Sequence, residues 1–377
     1  MEVREEKEEH ALPHLHRFPY LPLRAKRSTA RTYANAMTDL ERTAAQRILV
    51  LDGAMGTMIQ KLGLTEEDFH PLGMEDHKIL LKGNNELLSL SRPEAIRKIH
   101  EQYLEAGADI VETNTFSATS IAQAEHECSH LAREMNLASA RLAREACDKY
   151  TAMDPSKPRF VAGAIGPMNK TASLSPDVND PGYRAVTFDQ LVAAYKEQVE
   201  ALLDGGVDIL LVETIFDTLN AKAAFYAIDE VFEERGTRVP LMCSVTITDA
   251  SGRTLSGQTI EAFLISMQHV PLFSMGLNCA LGAAQMRPYL EVIAEQSPCR
   301  VSIYPNAGLP DQMGEYRETP EVTARLVGEF MANGWVNVVG GCCGTTPEHI
   351  AALAAEAKRH APRQIVAPVA STHGVDR

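Results

Sequence analysis

Aromatic residues make up only 6% of this 377-residue sequence, and tryptophan occurs once. Basic residues are also in the minority: 36 Lys and Arg face 50 Asp and Glu, a formal net charge of −14. With that balance, and no basic stripe interleaved with aromatics in its central part, the chain is not expected to bind nucleic acid. Apolar runs are short, none approaching the ~20 residues of a membrane-spanning helix, so no membrane partner is expected. The seven cysteines are odd in number and lack the even, close spacing of a disulfide-stapled secreted domain. A reducing, cytoplasmic setting with free thiols fits that pattern. No GxGxxG follows the first apolar run. "DGAMGT" is only a tight turn before a short helix, so an open dinucleotide-binding sheet lacks its fingerprint.

What is present, 45% hydrophobic and 23% charged residues, suits a globular chain with a large core. Residues 1–36 differ in texture, running from "MEVREEKEEH" into an Arg-rich stretch, and the early Glu cluster fits neither a signal nor a transit peptide. They are expected to be disordered or a mistaken N-terminal extension, with translation starting at Met37; His14 and His16 are read as part of that tail rather than as metal ligands. Thr38 followed by Glu41 reads as a capping box that opens a short helix. From Ile48 onward, β-branched runs at 48–53, 109–114, 159–166, 208–214, 240–247, 273–279, 300–306 and 336–341 alternate with helical patterns. In "TFDQLVAAYKEQVEALLDGG", Leu191, Ala194, Tyr195, Gln198, Val199 and Leu202 share one helix face, and Thr187 with Gln190 forms a capping box. Gly precedes the strand in "EAGADIVET", "DGGVDILLVET", "SMGLNC" and "ANGWVNVV", where it reads as a helix stop. Apolar strands alternating with helices indicate a parallel sheet covered on both faces. Eight such units predict an α/β (β/α)8 TIM barrel over residues 37–362, with 363–377 as a C-terminal tail.

In this architecture the active site lies at the C-terminal strand ends. Those ends deliver Asp52, Glu112 and Asn114, Glu213 and Thr214, Thr246, Asn278 and Cys279, Asn306, and finally Cys342 and Cys343. None is a histidine, which speaks against a barrel metallohydrolase. Cys342 and Cys343 lie in a Gly-Gly-Cys-Cys-Gly turn, and the glycines let two adjacent side chains face one target. With Cys279 they match a zinc site that keeps one tetrahedral position open; the plainer reading of Cys279 alone is a packed core thiol. Cys128, Cys147, Cys243 and Cys299 are expected to be structural. Three thiolates make zinc a poor activator of water but a good holder of a substrate thiol, which binds deprotonated and stays nucleophilic. The zinc-bound substrate thiolate then does the chemistry, with no separate protein nucleophile. If that substrate is an amino acid, Asp52 and Glu213 can take its ammonium, although stitching loops together explains them equally well. Thr345 with Glu348 reads as a capping box whose helix amides can receive a carboxylate, and His349 as a helix-surface residue.

The stretches "LDGAMGTMIQ", "LKGNNELLSLSRPEAI", "EAGADIVETNTFSATSIA", "SPDVNDPGYRAVTFDQLVAAY", "DASGRTLSGQT", "GLNCALG", "PNAGLP" and "VGGCCGTTPEHI" closely resemble the homocysteine-binding module of cobalamin-dependent methionine synthase, from about Ile48 to about Pro362. The resemblance implies zinc on Cys279, Cys342 and Cys343, homocysteine sulfur as fourth ligand, Asp52 and Glu213 on the substrate amino group, and Asn306 as a residue that approaches zinc when substrate is absent. It implies methionine biosynthesis from L-homocysteine, with methylcobalamin as methyl donor. The folate, cobalamin and reactivation modules of the whole enzyme are not in this sequence. The corrinoid is therefore expected on a separate corrinoid/folate-binding methionine synthase polypeptide, unless the chain is a fragment. Two alternatives stand beside this reading: a homocysteine S-methyltransferase using betaine or S-methylmethionine, and a non-catalytic zinc or thiol-redox module switching through Cys342 and Cys343.

Overall fold

Each of the eight apolar runs forms a strand, in the order expected. They are β1 (Leu49–Val50), β2 (Ile110–Glu112), β3 (Phe160–Ile165), β4 (Ile209–Ile215), β5 (Leu241–Val245), β6 (Ser274–Gly282), β7 (Arg300–Asn306) and β8 (Val338–Val339). Every pairing is parallel, in the order β1-β8-β7-β6-β5-β4-β3-β2. A bridge between Leu51 and Ile110 brings β1 against β2 and closes the barrel; the Asp109 amide donates to Val50 O at 2.7 Å and the Asp52 amide to Ile110 O at 3.0 Å. Each strand is followed by its main helix: Pro93–Ala106, Ala132–Met153, Phe188–Asp204, Thr218–Arg235, Ile260–Met267, Ala283–Gln296, Pro320–Ala332 and Pro347–Ala357. The fold is the (β/α)8 barrel that the alternation predicts.

This computed structural model describes residues 37–248 and 251–365. The expectations for residues 1–36, including His14 and His16, and for 366–377 lie outside the described residues. Arg363, one residue beyond the expected end of the barrel, is buried and donates to the carbonyls of Ala294, Ser297 and Cys299. The folded body therefore runs past 362. Among the described residues no helix is long and apolar enough to cross a membrane.

The barrel interior is a separate apolar cluster that includes Leu49, Leu51, Ile110, Phe160, Ile209, Leu211, Met242 and Val338, with Leu40 and Ala44 of the helix Asp39–Gln46 packed onto it. The alternate positions, such as Val50, Val111, Val161 and Leu210, pack outward against the helices, as a period of two requires. Following the inward positions upward, Ile110 leads to Glu112, Leu211 to Glu213, and Met242 to Ser244. An apolar plug thus gives way to a polar floor at the C-terminal mouth.

The helix Phe188–Asp204 buries all six residues of its expected face, and Thr187 and Gln190 form the expected reciprocal cap. One expected helix stop is corrected. Gly276 lies inside β6, where an added Cβ would stand 1.8 Å from Ser302 O, so it permits close strand approach rather than ending a helix. Gly107 and Gly334 do take the left-handed conformation just past their helices.

Candidate metal centre and its carboxylate floor

The three candidate ligands are brought together by two irregular stretches of backbone. β6 slips register between Asn278 and Gly282, and Cys279 and Ala280 there have φ of 59° and 60°. Such a bulge re-aims a side chain that regular pleating would direct elsewhere. The second stretch follows β8. The Cys342 amide donates to Pro305 O at 2.8 Å, the Ala307 amide to Cys343 O at 2.9 Å, and the Thr345 hydroxyl to Cys342 O at 2.7 Å. Gly344 has φ +80°, and a Cβ on it would lie 2.3 Å from the Cβ of Tyr316. The turn is therefore pinned to the end of β7 and open only to glycine at this point.

The sulfur atoms of Cys279, Cys342 and Cys343 all lie within 4.8 Å of one another. Cys343 Sγ is 3.8 Å from Cys279 Sγ and 4.0 Å from Cys342 Sγ. A tetrahedral ion with metal–sulfur bonds of ~2.3 Å needs sulfurs ~3.8 Å apart, so the donor set fits zinc in both identity and spacing. Hydrogen bonds from Cys279, Cys342 and the Tyr316 phenol pull the Cys343 thiol down to about 3, while Cys342 is pushed up by the same sulfur contacts and by burial. Cys128, Cys147 and Cys243 are buried elsewhere and Cys299 is half-buried, none of them in the cluster.

Beside the sulfurs, Asp52 and Glu213 line the same cavity, and both are buried. Glu112, which the strand-end reading noted without giving it a role, lines it too. Burial, and next the Glu112 charge, push the Asp52 and Glu213 carboxyls well above the usual carboxylate range, and burial pushes Glu112 up to about 8. Asp52 accepts the Glu112 amide at 3.1 Å, yet Asp52 Oδ1 and Glu112 Oε1 have no hydrogen-bond partner. Among the described residues, no basic side chain offsets the three acids. This electrostatic arrangement favours a cation entering the cavity. The period of two from Ile110 was the signal that turned Glu112 inward.

Asn306 differs from these. It is buried at the end of β7, behind the residues that line the cavity, with its amide 3.5 Å from the hydroxyl of Tyr316, which does line it, and its Oδ1 unpartnered. Two further expectations are corrected. Thr346, not Thr345, caps the last helix, and its partner in the box is His349, not Glu348, because the Thr345 hydroxyl is already spent on Cys342 O. His349 is buried, with Nε2 2.9 Å from Glu318 O, so it is no helix-surface residue. Two amides near the expected carboxylate site are engaged as well: Gly344 N–H donates to Thr57 and Thr346 N–H to His349.

The cavity holds about 990 Å³, near the upper end of the ~300–1,000 Å³ typical of small-molecule clefts. A small thiol amino acid would leave much of it for a second reactant. Loops after β1, β2, β3, β5 and β7 expose Leu72, Leu80, Phe116, Val178, Tyr183, Leu255, Leu309 and Met313 on the same C-terminal side.

The sequence model of the homocysteine S-methyltransferases matches residues 49–357. Among solved structures, the metallated form of the homocysteine methyltransferase MmuM of Escherichia coli is 27% identical, with TM-score 0.64, covering 83% of this chain and 98% of that one. Its oxidised form is 26% identical with TM-score 0.62, covering 82% and 95%. Its apo form is 26% identical with TM-score 0.59, covering 82% and 96%. The chain belongs to the homocysteine S-methyltransferase family, and its reaction is methyl transfer to homocysteine.

Proposed function

We propose that the protein is a zinc-dependent methyltransferase making methionine from L-homocysteine, with Cys279, Cys342 and Cys343 as metal ligands and methylcobalamin, presented by a corrinoid-binding methionine synthase module, as donor. The observation that carries the reading is the meeting of three sulfurs at tetrahedral spacing with three uncompensated buried acids in one cavity. Zinc bound by these three thiolates would lower the pKa of a fourth, substrate thiol, so that its proton is released to solvent and its sulfur is left as a nucleophile. Asp52 and Glu213 take the substrate ammonium, and Glu112 supplies the third acid around it. The apolar plug closes the barrel beneath the mouth, so the site is reached from the C-terminal side. The thiolate attacks the methyl carbon in line, and the donor departs with the bonding electron pair. Asn306, buried beside the Cys342–Cys343 turn with an orphaned oxygen, would be placed to offer that oxygen to a metal held there when no substrate is bound.

Two features support a protein-borne donor. The cavity exceeds the needs of homocysteine, and exposed apolar side chains on the surrounding loops suit a macromolecular partner. The resemblance of "SPDVNDPGYR" and "DASGRTLSGQT" to the cobalamin-dependent enzyme points the same way. The test is methionine formation by zinc-loaded protein from homocysteine with methylcobalamin, betaine and S-methylmethionine in parallel. Turnover with methylcobalamin alone is expected. Turnover with betaine or S-methylmethionine alone would overturn the donor assignment while leaving the site reading intact.

A further inference from the structure

The geometry points to Asn278 as a positioning residue that fixes the separation between the substrate's ammonium and its sulfur. The inference rests on Glu213 as an ammonium partner. Asn278 is fully buried and faces inward on β6, one residue before Cys279. Its Nδ2 donates to Thr214 Oγ1 at 2.7 Å and reaches Glu213 Oε2 at 3.3 Å. Its Oδ1 accepts the Thr214 amide at 3.0 Å and the Ser244 hydroxyl at 2.7 Å. Both donors and both acceptor sites of the amide are used, so the group has one orientation. The Thr214 N–H must meet an oxygen, which settles which end is which.

One residue that Asn278 bonds and the residue that follows it in the chain are both in backbone conformations that few side chains tolerate. Thr214, β-branched, has φ 53°, and Cys279 has φ 59°. Each such conformation persists only where its surroundings enforce it. One amide thus enforces the turn that directs the Glu213 carboxylate while standing next in the chain to a sulfur of the cluster. A flexible amino acid held at both ends requires these two anchors at a fixed distance. Ser244, also fully buried, orients Asn278 from β5 and stands away from the sulfurs in sequence.

The experiment compares binding of L-homocysteine and 4-mercaptobutyrate, which keeps the thiol and carboxylate but has no ammonium. Calorimetry on zinc-loaded wild type, Asn278→Ala, Ser244→Ala and Glu213→Gln is combined with metal analysis of each protein. Wild type is expected to prefer homocysteine by about tenfold or more, the worth of a charged hydrogen bond, and Glu213→Gln to lose most of that preference. Asn278→Ala is expected to bring the preference below about threefold with metal retained and 4-mercaptobutyrate affinity within about twofold of wild type. Ser244→Ala moves it in the same direction by a smaller step. An unchanged preference in Asn278→Ala, a proportional loss for both thiols, or loss of metal overturns the positioning role. If Asn278→Ala does not fold, an unchanged preference in Ser244→Ala does so. A wild type without preference shows instead that the ammonium reading has failed, and the inference with it.

Discussion

Cys342 and Glu112 illustrate how differently two buried side chains in one cavity can depend on their surroundings. Cys342→Ser replaces a soft thiolate donor by a hydroxyl in an otherwise unchanged turn. The expected result is loss of bound zinc and of turnover with an unchanged helical circular dichroism spectrum, because the apolar clusters do not depend on the metal. Retained zinc with full turnover would dismiss the ligand assignment. Glu112 titrates near ~4.3 in an unfolded chain and at about 8 in the folded protein. Between those values the folded state keeps a proton that the unfolded state has released. This group's stabilising contribution is therefore complete below ~4.3 and is lost as pH rises through 8. Glu112→Gln removes that loss, and should gain ~1–3 kcal/mol over wild type on moving from pH 5 to pH 8.5 in urea unfolding. His100 has the opposite sign. It is fully buried with neither ring nitrogen bonded, and burial lowers it to about 4. Its contribution is present above ~6.5 and is lost as pH falls toward 4, at up to ~1.4 kcal/mol per pH unit. His100→Leu should flatten the acid side of the stability profile; an equal decline in both proteins would exclude this residue as its source.

At the scale of elements, the two sulfur-bearing stretches owe their shape to departures from regular structure, the β6 bulge and the turn after β8. Gly344→Ala tests the second. A methyl group there meets the Tyr316 Cβ at 2.3 Å in a left-handed backbone, so the turn must shift and carry Cys343 with it. A loss of ~1–3 kcal/mol in stability and at least about tenfold in zinc affinity is expected, measured by thermal unfolding and competition with a chelator. The same contrast explains what the sequence made legible. All eight strands were readable because parallel strands buried on both faces are apolar nearly throughout. The limits of β1 and β8 were not, since only two residues of each apolar run lie in the regular ladder. The cysteine cluster was readable from residue type at strand ends. The role of Glu112 was hidden because a carboxylate at a strand end reads equally well as a loop anchor, and only the alternation from Ile110 turns it inward. Gly276 looked like a helix stop because a glycine before an apolar run has the same signature whether it ends a helix or admits a neighbouring strand. The last helix cap was misplaced by one residue because "TT" offers two equivalent hydroxyls, and only tertiary contact with Cys342 O distinguishes them.

At the scale of the whole molecule, the distribution of exposed apolar side chains is uneven. Val178 is 91% exposed, Met313 83% and Leu72 99%, each in a loop leaving the C-terminal end of a strand. Single exposed apolar residues are ordinary, but a set on the face that also holds the cavity has a direct functional consequence if the donor arrives on a protein. Apolar side chains exposed together on one face suit short-range contact with such a donor. Val178→Ser with Met313→Ser touches neither the sulfurs nor the acids. The double variant should keep its zinc content, its homocysteine affinity and its stability to within about 0.5 kcal/mol per site. Turnover with free methylcobalamin should be unchanged, because a small donor needs only the open cavity. Turnover with a methylated corrinoid protein should instead show KM raised by about tenfold with kcat little altered, the signature of lost docking rather than lost chemistry. Equal KM values for wild type and double variant with the corrinoid protein would mean that the donor reaches the sulfur without using this rim.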